Sequence, residues 1–282
     1  ALATPEDFEL PPGGLNIRWP DTPLQQEERL HRYKVYAALA FARANALDRT
    51  VVDGPNRRLG LIASGKSYLD LMQALEDLGL DLDACRDLGL AIYKVAMPWP
   101  LEREGIRAFA QGLDEVLVVE EKRAVIENQL KEQLYNWQAD KRPRVTGKFD
   151  ADGHWQLPSW HELTPAMVAR VLARQLKAHG VPPGVEQRLK FLEAKEKQLA
   201  QEQPPLTRLP YFCSGCPHNT STKVPDGSRA LAGIGCHYMV QWMDRNTETY
   251  TQMGGEGVPW IGQAPFSKTG HVFVNLGDGT YF

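Results

Sequence analysis

The sequence predicts an α/β fold built on a parallel sheet, and three observations carry that prediction. Between residues 57 and 145, short apolar runs alternate with amphipathic stretches, the order of strand and helix in an α/β layer. The runs RLGLIAS, LAIYKVAMP and EVLVVEE are apolar almost without a break, as strands are when helices cover both faces of their sheet. The stretches between them repeat apolar residues at three and four, the spacing of one helix face.

Taken in order, residues 1 to 28 are rich in proline and glycine, lack periodicity, and read as a linker coming in from something upstream. Leu30, Tyr33, Ala37 and Phe41 then lie at helical spacing, which predicts a helix from Glu28 to Asp48. RLGLIAS is a strand that leads into the amphipathic helix YLDLMQALEDLG, which Gly79 can stop. LAIYKVAMP is the next strand. Pro100 suits the first turn of a helix running to about Gly112. EVLVVEE is the third strand, and Ile126, Leu130, Leu134 and Trp137 stripe the helix after it. VTGKF and HWQL, joined through DADG, predict a hairpin over residues 145 to 157. Thr164 and Pro165 supply the cap and first-turn proline of a helix closing near Gly180. From Gly184 to Glu202 a charged helix, with Leu189, Leu192 and Leu199 on one side, reads as a connector with a solvated outer face. After Pro204 glycine, cysteine and histidine become frequent. The chain stops at GDGTYF, directly after the apolar strand VFVNL, which reads as a cut inside a domain.

Bulk properties exclude several classes. At 282 residues, with 43% hydrophobic and 24% charged residues, the chain can bury a core without disulfide or metal staples. A net charge of −3 and a pI near 6.2 are not the basic footprint of a nucleic-acid binder. Apolar runs such as Val116 to Val119 are far shorter than a membrane span, and ALATPEDFELPPGG lacks the basic start and apolar stretch of a signal peptide. A soluble, cytoplasmic protein with no nucleic-acid or membrane partner is expected.

Gly60 to Ser67 reads GLIASGKS, a literal match to the phosphate-loop pattern G-x-x-x-x-G-K-[ST], and EVLVVEE could stand for an acidic strand holding magnesium. The middle of such a loop is a wide turn whose N–H groups face the phosphates. Here the middle residues are Leu-Ile-Ala-Ser, which continue the strand begun at Leu59 and leave too short a turn to wrap a triphosphate. A strand ending at Ser64 and a helix starting near Ser67 are predicted instead.

Of the four cysteines, Cys85 stands alone in a polar stretch and reads as a packing thiol. Cys213 and Cys216 form a C-x2-C pair, and Cys236 follows after 19 intervening residues. Such a pair offers two thiolates to one metal centre, so an iron–sulfur cluster, a zinc site and reduced structural thiols all stay open on spacing alone. His218 and His237 sit too close in sequence to Cys216 and Cys236 to share one ion with them easily. Gly277-Asp278-Gly279 ends an apolar strand: its glycines let the backbone approach a phosphate, and its aspartate offers a hard oxygen to magnesium. GGEG at 254 to 257 adds a further flexible loop.

Together, C-S-G-C-P-H-N-T, G-I-G-C-H, Q-M-G-G-E-G-V-P-W-I-G-Q-A-P-F and N-L-G-D-G-T-Y-F resemble the indolepyruvate ferredoxin oxidoreductases, in particular their long bacterial fused form. The wider 2-oxoacid:ferredoxin oxidoreductases share the C-x2-C, G-x-G-C and G-D-G order. The resemblance implies that residues 1–56 are a linker and incoming helix. It makes 57–145 a transketolase C-terminal-like parallel-sheet domain, 146–205 a hairpin and helical connector, and 206–282 the truncated start of a thiamine-diphosphate-binding α/β domain. It implies that Cys213, Cys216 and Cys236 ligate a [4Fe–4S] cluster, with a fourth cysteine beyond residue 282. Asp278 would hold the Mg2+ that bridges the diphosphate, Gly277 and Gly279 would shape that turn, and Gly235 and His237 would line the coenzyme. His237 stands where many pyruvate-type members have serine. The implied chemistry is oxidative decarboxylation of an aryl-pyruvate, with ferredoxin taking electrons and coenzyme A the acyl group, in a full-length homo-oligomer. The glutamate that activates the thiazolium belongs to an upstream domain. A non-redox thiamine-dependent decarboxylase would need the G-D-G turn without the cysteines, and a zinc-stabilised interaction module would need the cysteines without thiamine.

Overall fold

A capping box opens the first helix: the Thr22 hydroxyl accepts from the Gln25 amide at 3.4 Å, and the Gln25 side chain accepts from the Thr22 amide at 2.9 Å. The computed structural model describes residues 2–16, 19–177, 180, 182–201 and 208–281, with Pro183, Asp278 and Gly279 as backbone. Internal contacts divide the chain into two compact units, Ala1–Gln201 and Glu202–Phe282. The composition change expected after Pro204 falls outside the described residues, as do residues 202–207 as a whole.

In the first unit α1 (Pro23–Arg29) runs through a π-helical turn (Leu30–Lys34) into α2 (Val35–Ala44), so the helix expected from Glu28 begins earlier, at the Thr22 cap, and stops short of Asp48. There follow β1 (Arg49–Val52), β2 (Leu59–Ser64), α3 (Gly65–Asp77), α4 (Leu82–Asp87), β3 (Leu90–Val95), α5 (Arg103–Ala110), β4 (Glu115–Val119), α6 (Ile126–Leu134), β5 (Arg144–Thr146), α7 (Pro165–Leu176) and α8 (Pro183–Gln201). α3 closes as foreseen at Gly79, where the Leu80 amide donates to the Leu75 carbonyl at 2.9 Å and the Gly79 amide to Glu76 at 2.8 Å.

The strands lie in the order β1-β3-β2-β4-β5. β3, β2 and β4 run parallel, as predicted; β5 extends them in parallel and β1 pairs antiparallel on the edge of β3, neither of them foreseen. Alternation along β2 sorts its side chains. Leu59, Leu61 and Ala63 pack with Leu71 and Leu75 of α3 and with Val168 and Leu172 of α7. Ile62 faces the other way, into a core with Ile106 and Phe109 of α5 and Ile126 and Leu130 of α6. Each fully buried Leu or Ile contributes about 1.5–3 kcal/mol of hydrophobic stabilisation, so both helix layers are required. α7 completes one of them.

Three local expectations are corrected. Pro100 does not open α5; Glu102 caps it, accepting from the Glu104 and Gly105 amides at 3.1 and 2.6 Å. α3 begins at Gly65, ahead of Ser67. The hairpin over 145–157 shrinks, among the described residues, to one antiparallel bridge between Phe149 and Trp155. Val145 has a better partner, since β5 extends the parallel sheet beside Val116 of β4. The phosphate-loop pattern does not form a loop either. Gly60 lies inside β2, where a Cβ would meet the Leu113 side chain at 2.6 Å and the Phe109 ring at 3.0 Å, so a larger residue would have to push these side chains aside. Lys66 is occupied with the Asp70 carboxylate at 2.8 Å and the Leu163 carbonyl at 2.7 Å.

The second unit contains α9 (His218–Ser221), β6 (Ala230–Ala232), a 3-10 segment (Gly235–Trp242), β7 (Thr247–Tyr250), α10 (Val258–Gln263), a 3-10 turn (Ala264–Phe266), β8 (Phe273–Val274) and α11 (Asp278–Tyr281). Its strands lie in the order β7-β6-β8, all parallel. The strand expected over VFVNL is confined to Phe273–Val274. No described helix is long and apolar enough to cross a membrane.

Candidate functional site

Because β6, β7 and β8 are parallel, the loops that follow them leave the same edge of the sheet. Those loops are 233–237, 251–257 and 275–279, and each carries one of the motifs singled out in the sequence. In open parallel sheets, the crevice outside the carboxyl ends of the strands is where coenzymes bind.

Close contacts join the loops. A Cβ on Gly233 would lie 2.6 Å from the Asn275 carbonyl oxygen, so only a glycine lets the 233–237 loop pass this close to the turn after β8. The Glu256 carboxylate accepts from the Thr280 hydroxyl at 2.8 Å and from the Gly254 amide at 2.8 Å, and the Gly254 amide also reaches the Thr280 hydroxyl at 3.2 Å. Glu256 thus ties the GGEG loop to α11. Its own backbone N–H holds its carboxyl below the usual range, and against the upward push of burial, Thr280 and the Gly254 amide add to that. Glu256 is therefore a carboxylate at neutral pH.

The cysteine loop reaches the same place through two histidines. Cys213 and Cys216 sit on one turn, closed by the Cys216 amide donating to the Cys213 carbonyl at 3.1 Å, with the Asn219 side chain on that same carbonyl at 3.0 Å. Arg245 secures the segment after it: its guanidinium donates to the Thr222 hydroxyl at 2.6 Å and to the Asn219 carbonyl at 2.9 Å, and lies over the Phe212 ring. The ring of His218 then packs edge-on to that of His237, centroids 5.7 Å apart. His237 is 4% exposed, and Nδ1 accepts from the Gly233 amide at 2.8 Å. Burial, and secondarily His218, pushes its imidazole down from the usual value, so it is neutral.

The residues singled out in the sequence fall as follows. Cys213 and Cys236 are exposed and Cys216 is half-buried, all as free thiols. Among the described residues, their sulfurs do not gather within 4.8 Å of one another. Thiolates on one tetrahedral zinc, at about 2.3 Å each, would lie about 3.8 Å apart, so the three sulfurs do not form a zinc site in this arrangement. Gly235 and Gly277 open onto free space, with nothing within 4 Å of where a Cβ would stand. Asp278 and Gly279 begin α11, whose first turn is closed by the Thr280 and Tyr281 amides donating to the Gly277 carbonyl at 3.0 Å. The Asp278 side chain lies outside what is described. Among the described residues, the buried His237 Nε2 and His218 Nδ1 have no hydrogen-bond partner, which buried polar atoms normally have. The donor set and the open glycines fit an iron–sulfur cluster and a phosphorylated coenzyme.

Glu256, Thr280, Asn275 and Gly233 contribute to the site without having been singled out as site residues. The G-x-G in GIGC was the available sign of Gly233. Nothing local marks the Glu256–Thr280 pair. Cys85 is fully buried in the first unit, and burial pushes its thiol up to about 11.

Fold and site together define an α/β protein whose second unit gathers glycine-rich loops at the carboxyl ends of parallel strands, with free thiols on the neighbouring segments. Residues 48–202 match the family described as "Indolepyruvate ferredoxin oxidoreductase middle domain", and the chain belongs to that family. It is 28% identical to indolepyruvate oxidoreductase subunit IorA of Thermococcus kodakarensis over 80% of this chain and 34% of that protein. It is 29% identical to the IorA subunit of Pyrococcus horikoshii over 82% of this chain and 35% of that one. The chain thus spans about a third of the length of these relatives. Among solved structures it is similar to a 2-oxoglutarate:ferredoxin oxidoreductase from Magnetococcus marinus, at 16% identity over 60% of this chain and 26% of that chain, with a TM-score of 0.32.

Proposed function

We propose that this chain is part of an enzyme that oxidatively decarboxylates aryl-pyruvates of the indolepyruvate type to acyl-coenzyme A, with ferredoxin as the electron acceptor. The observation that supports it most is the meeting of the three strand-end loops with the cysteine turn at one edge of the second sheet. Thiamine diphosphate, when bound, supplies an electron sink for the pair left behind as carbon dioxide departs. Asp278 would supply a carboxylate to the Mg2+ that accompanies the diphosphate, and backbone amides around Gly277 and Gly279 would be available to phosphate oxygens. Glu256 keeps that turn in place through Thr280. Gly235 and His237 line the coenzyme. Cys213, Cys216 and Cys236 hold a [4Fe–4S] cluster with one further ligand from outside these residues. A cluster held there would pass electrons singly toward ferredoxin, with coenzyme A as the acyl acceptor. In this reading the full-length protein is a homo-oligomer and the 282 residues alone are inactive.

The test is metal and coenzyme analysis of the full-length protein purified without oxygen. Iron, acid-labile sulfide and thiamine together support the reading. Thiamine without iron indicates a non-redox decarboxylase, and stoichiometric zinc without thiamine a structural module; either outcome overturns it.

A further inference from the structure

His237 carries a hydrogen-bond donor with no partner among the described residues, in a side chain that is 4% exposed. The geometry identifies the donor. The Gly233 amide can only donate, so Nδ1, which accepts from it at 2.8 Å, is the bare nitrogen, and the ring hydrogen sits on Nε2. The ring cannot turn to satisfy both nitrogens, because a flip would surrender the Gly233 bond. Buried donors are normally paired, so its place in the fold calls for a partner from beyond the described residues. Two neighbours show where that partner lies. His237 directly follows Cys236, and its ring packs against His218, two residues beyond Cys216. The ring that carries the donor is thus in contact with both cysteine-bearing segments.

We propose that the Nε2–H of His237 donates to a sulfur of the iron–sulfur cluster and raises its reduction potential, so that His237 is a redox-tuning, positioning residue. This rests on the cluster reading above. One-electron reduction adds negative charge to the cluster, and a donor fixed beside a sulfur stabilises the reduced form more than the oxidised one. The glycine-held Nδ1 acts as the outer support that orients the donor.

Two variants of the full-length protein separate the ring's two nitrogens. His237→Asn keeps an acceptor near Nδ1 for the Gly233 amide and removes the donor. His237→Gln places an amide nitrogen near Nε2 and gives up the Gly233 bond. In redox titrations followed by electron paramagnetic resonance, His237→Asn should need a more negative potential. Its cluster should be about tenfold less reduced at the wild-type midpoint, or about 59 mV for one electron. His237→Gln should stay close to wild type. Pulsed resonance in deuterated buffer should lose one exchangeable-proton coupling in His237→Asn and keep it in His237→Gln. Unchanged midpoints in iron-replete His237→Asn, or equal shifts in both variants, overturn the tuning role and leave the cluster standing. Wild-type protein without iron overturns the cluster itself, and this inference with it.

Discussion

The carbonyl oxygen of Asn275 lies so close to Gly233 that a Cβ on the glycine would stand 2.6 Å from it. β6 and β8 are parallel neighbours here, with Leu231 beside Val274, so this contact sets the gap between the loop bearing Cys236 and His237 and the turn bearing Asp278. The atom in the way is backbone, which cannot swing aside as a side chain could. Gly233→Ala should therefore force the two loops apart, at about 1–3 kcal/mol as in other overpacked sites. Thermal unfolding and thiamine diphosphate content of the full-length protein both read this. Wild-type values for both would show that the gap is set elsewhere.

Glu256 acts at one remove from the proposed metal ligand, through the Thr280 hydroxyl of the helix that Asp278 begins. Removing the outer partners of a metal site typically costs about 10–100-fold in affinity. Glu256→Ala should weaken Mg2+-dependent thiamine diphosphate binding by at least about tenfold, and Thr280→Val should do so less, since Glu256 keeps its bond to the Gly254 amide. Fluorescence titration of the full-length protein with coenzyme at fixed Mg2+ measures it. Equal affinities in all three proteins would remove Glu256 from the site.

Thiol accessibility makes a sharper distinction. In apo-protein, Cys213 and Cys236 should alkylate fastest, Cys216 more slowly, and Cys85 only after unfolding, because it is fully buried and its thiol is pushed up to about 11. Anaerobic protein loaded with iron and sulfide should protect the first three and leave Cys85 as it was. Peptide mass spectrometry after a timed alkylator pulse gives the order. Labelling of Cys236 unaffected by loading would exclude it as a ligand.

Cys85 also predicts a pH dependence. In the unfolded chain its thiol ionises from about 9.0, and in the folded chain only near 11, so between these values the folded state holds the extra proton. Stability must therefore fall as pH rises through that window, by up to about 3 kcal/mol from this group. Denaturant unfolding of wild type and Cys85→Ala from pH 8 to 11 isolates it: the variant should lack this part of the slope, whatever its absolute stability.

Lys66 should prove structural despite its phosphate-loop spelling. Its ammonium joins α3 to the segment before α7 through Asp70 and the Leu163 carbonyl. Lys66→Met should lower the unfolding temperature, and neither it nor the wild type should bind adenosine triphosphate in calorimetry. Heat of binding that disappears in the variant would reinstate the nucleotide reading.

The core strands β2, β3 and β4 were legible because each is buried on both faces, and that demands an unbroken apolar run. Edge strands escape such a demand. β1 exposes Arg49 and Thr50, and β5 is three residues long with Arg144 exposed, so neither leaves a pattern, and Val145 was assigned to a hairpin before β4 claimed it. Helix starts were readable where a side chain caps the backbone locally, as at Thr164, whose hydroxyl accepts from the Met167 amide at 3.3 Å. They were misread at Pro100, where the cap was Glu102, an uncommon choice for that position.

The same division runs through the site. Cys213, Cys216, Cys236 and the glycine–aspartate–glycine turn declare themselves in the chain, because metals and phosphates accept few chemistries and those residues supply them. The meeting of the Cys236 loop with the 275–279 turn is another matter: it depends on β6, β7 and β8 running parallel, which sends three separate loops off one edge. The partners that complete it, Gly233 with Asn275, Glu256 with Thr280 and His218 with His237, are 42, 24 and 19 residues apart. Contacts over such distances are set by strand pairing rather than local propensity, so only the folded sheet reveals them.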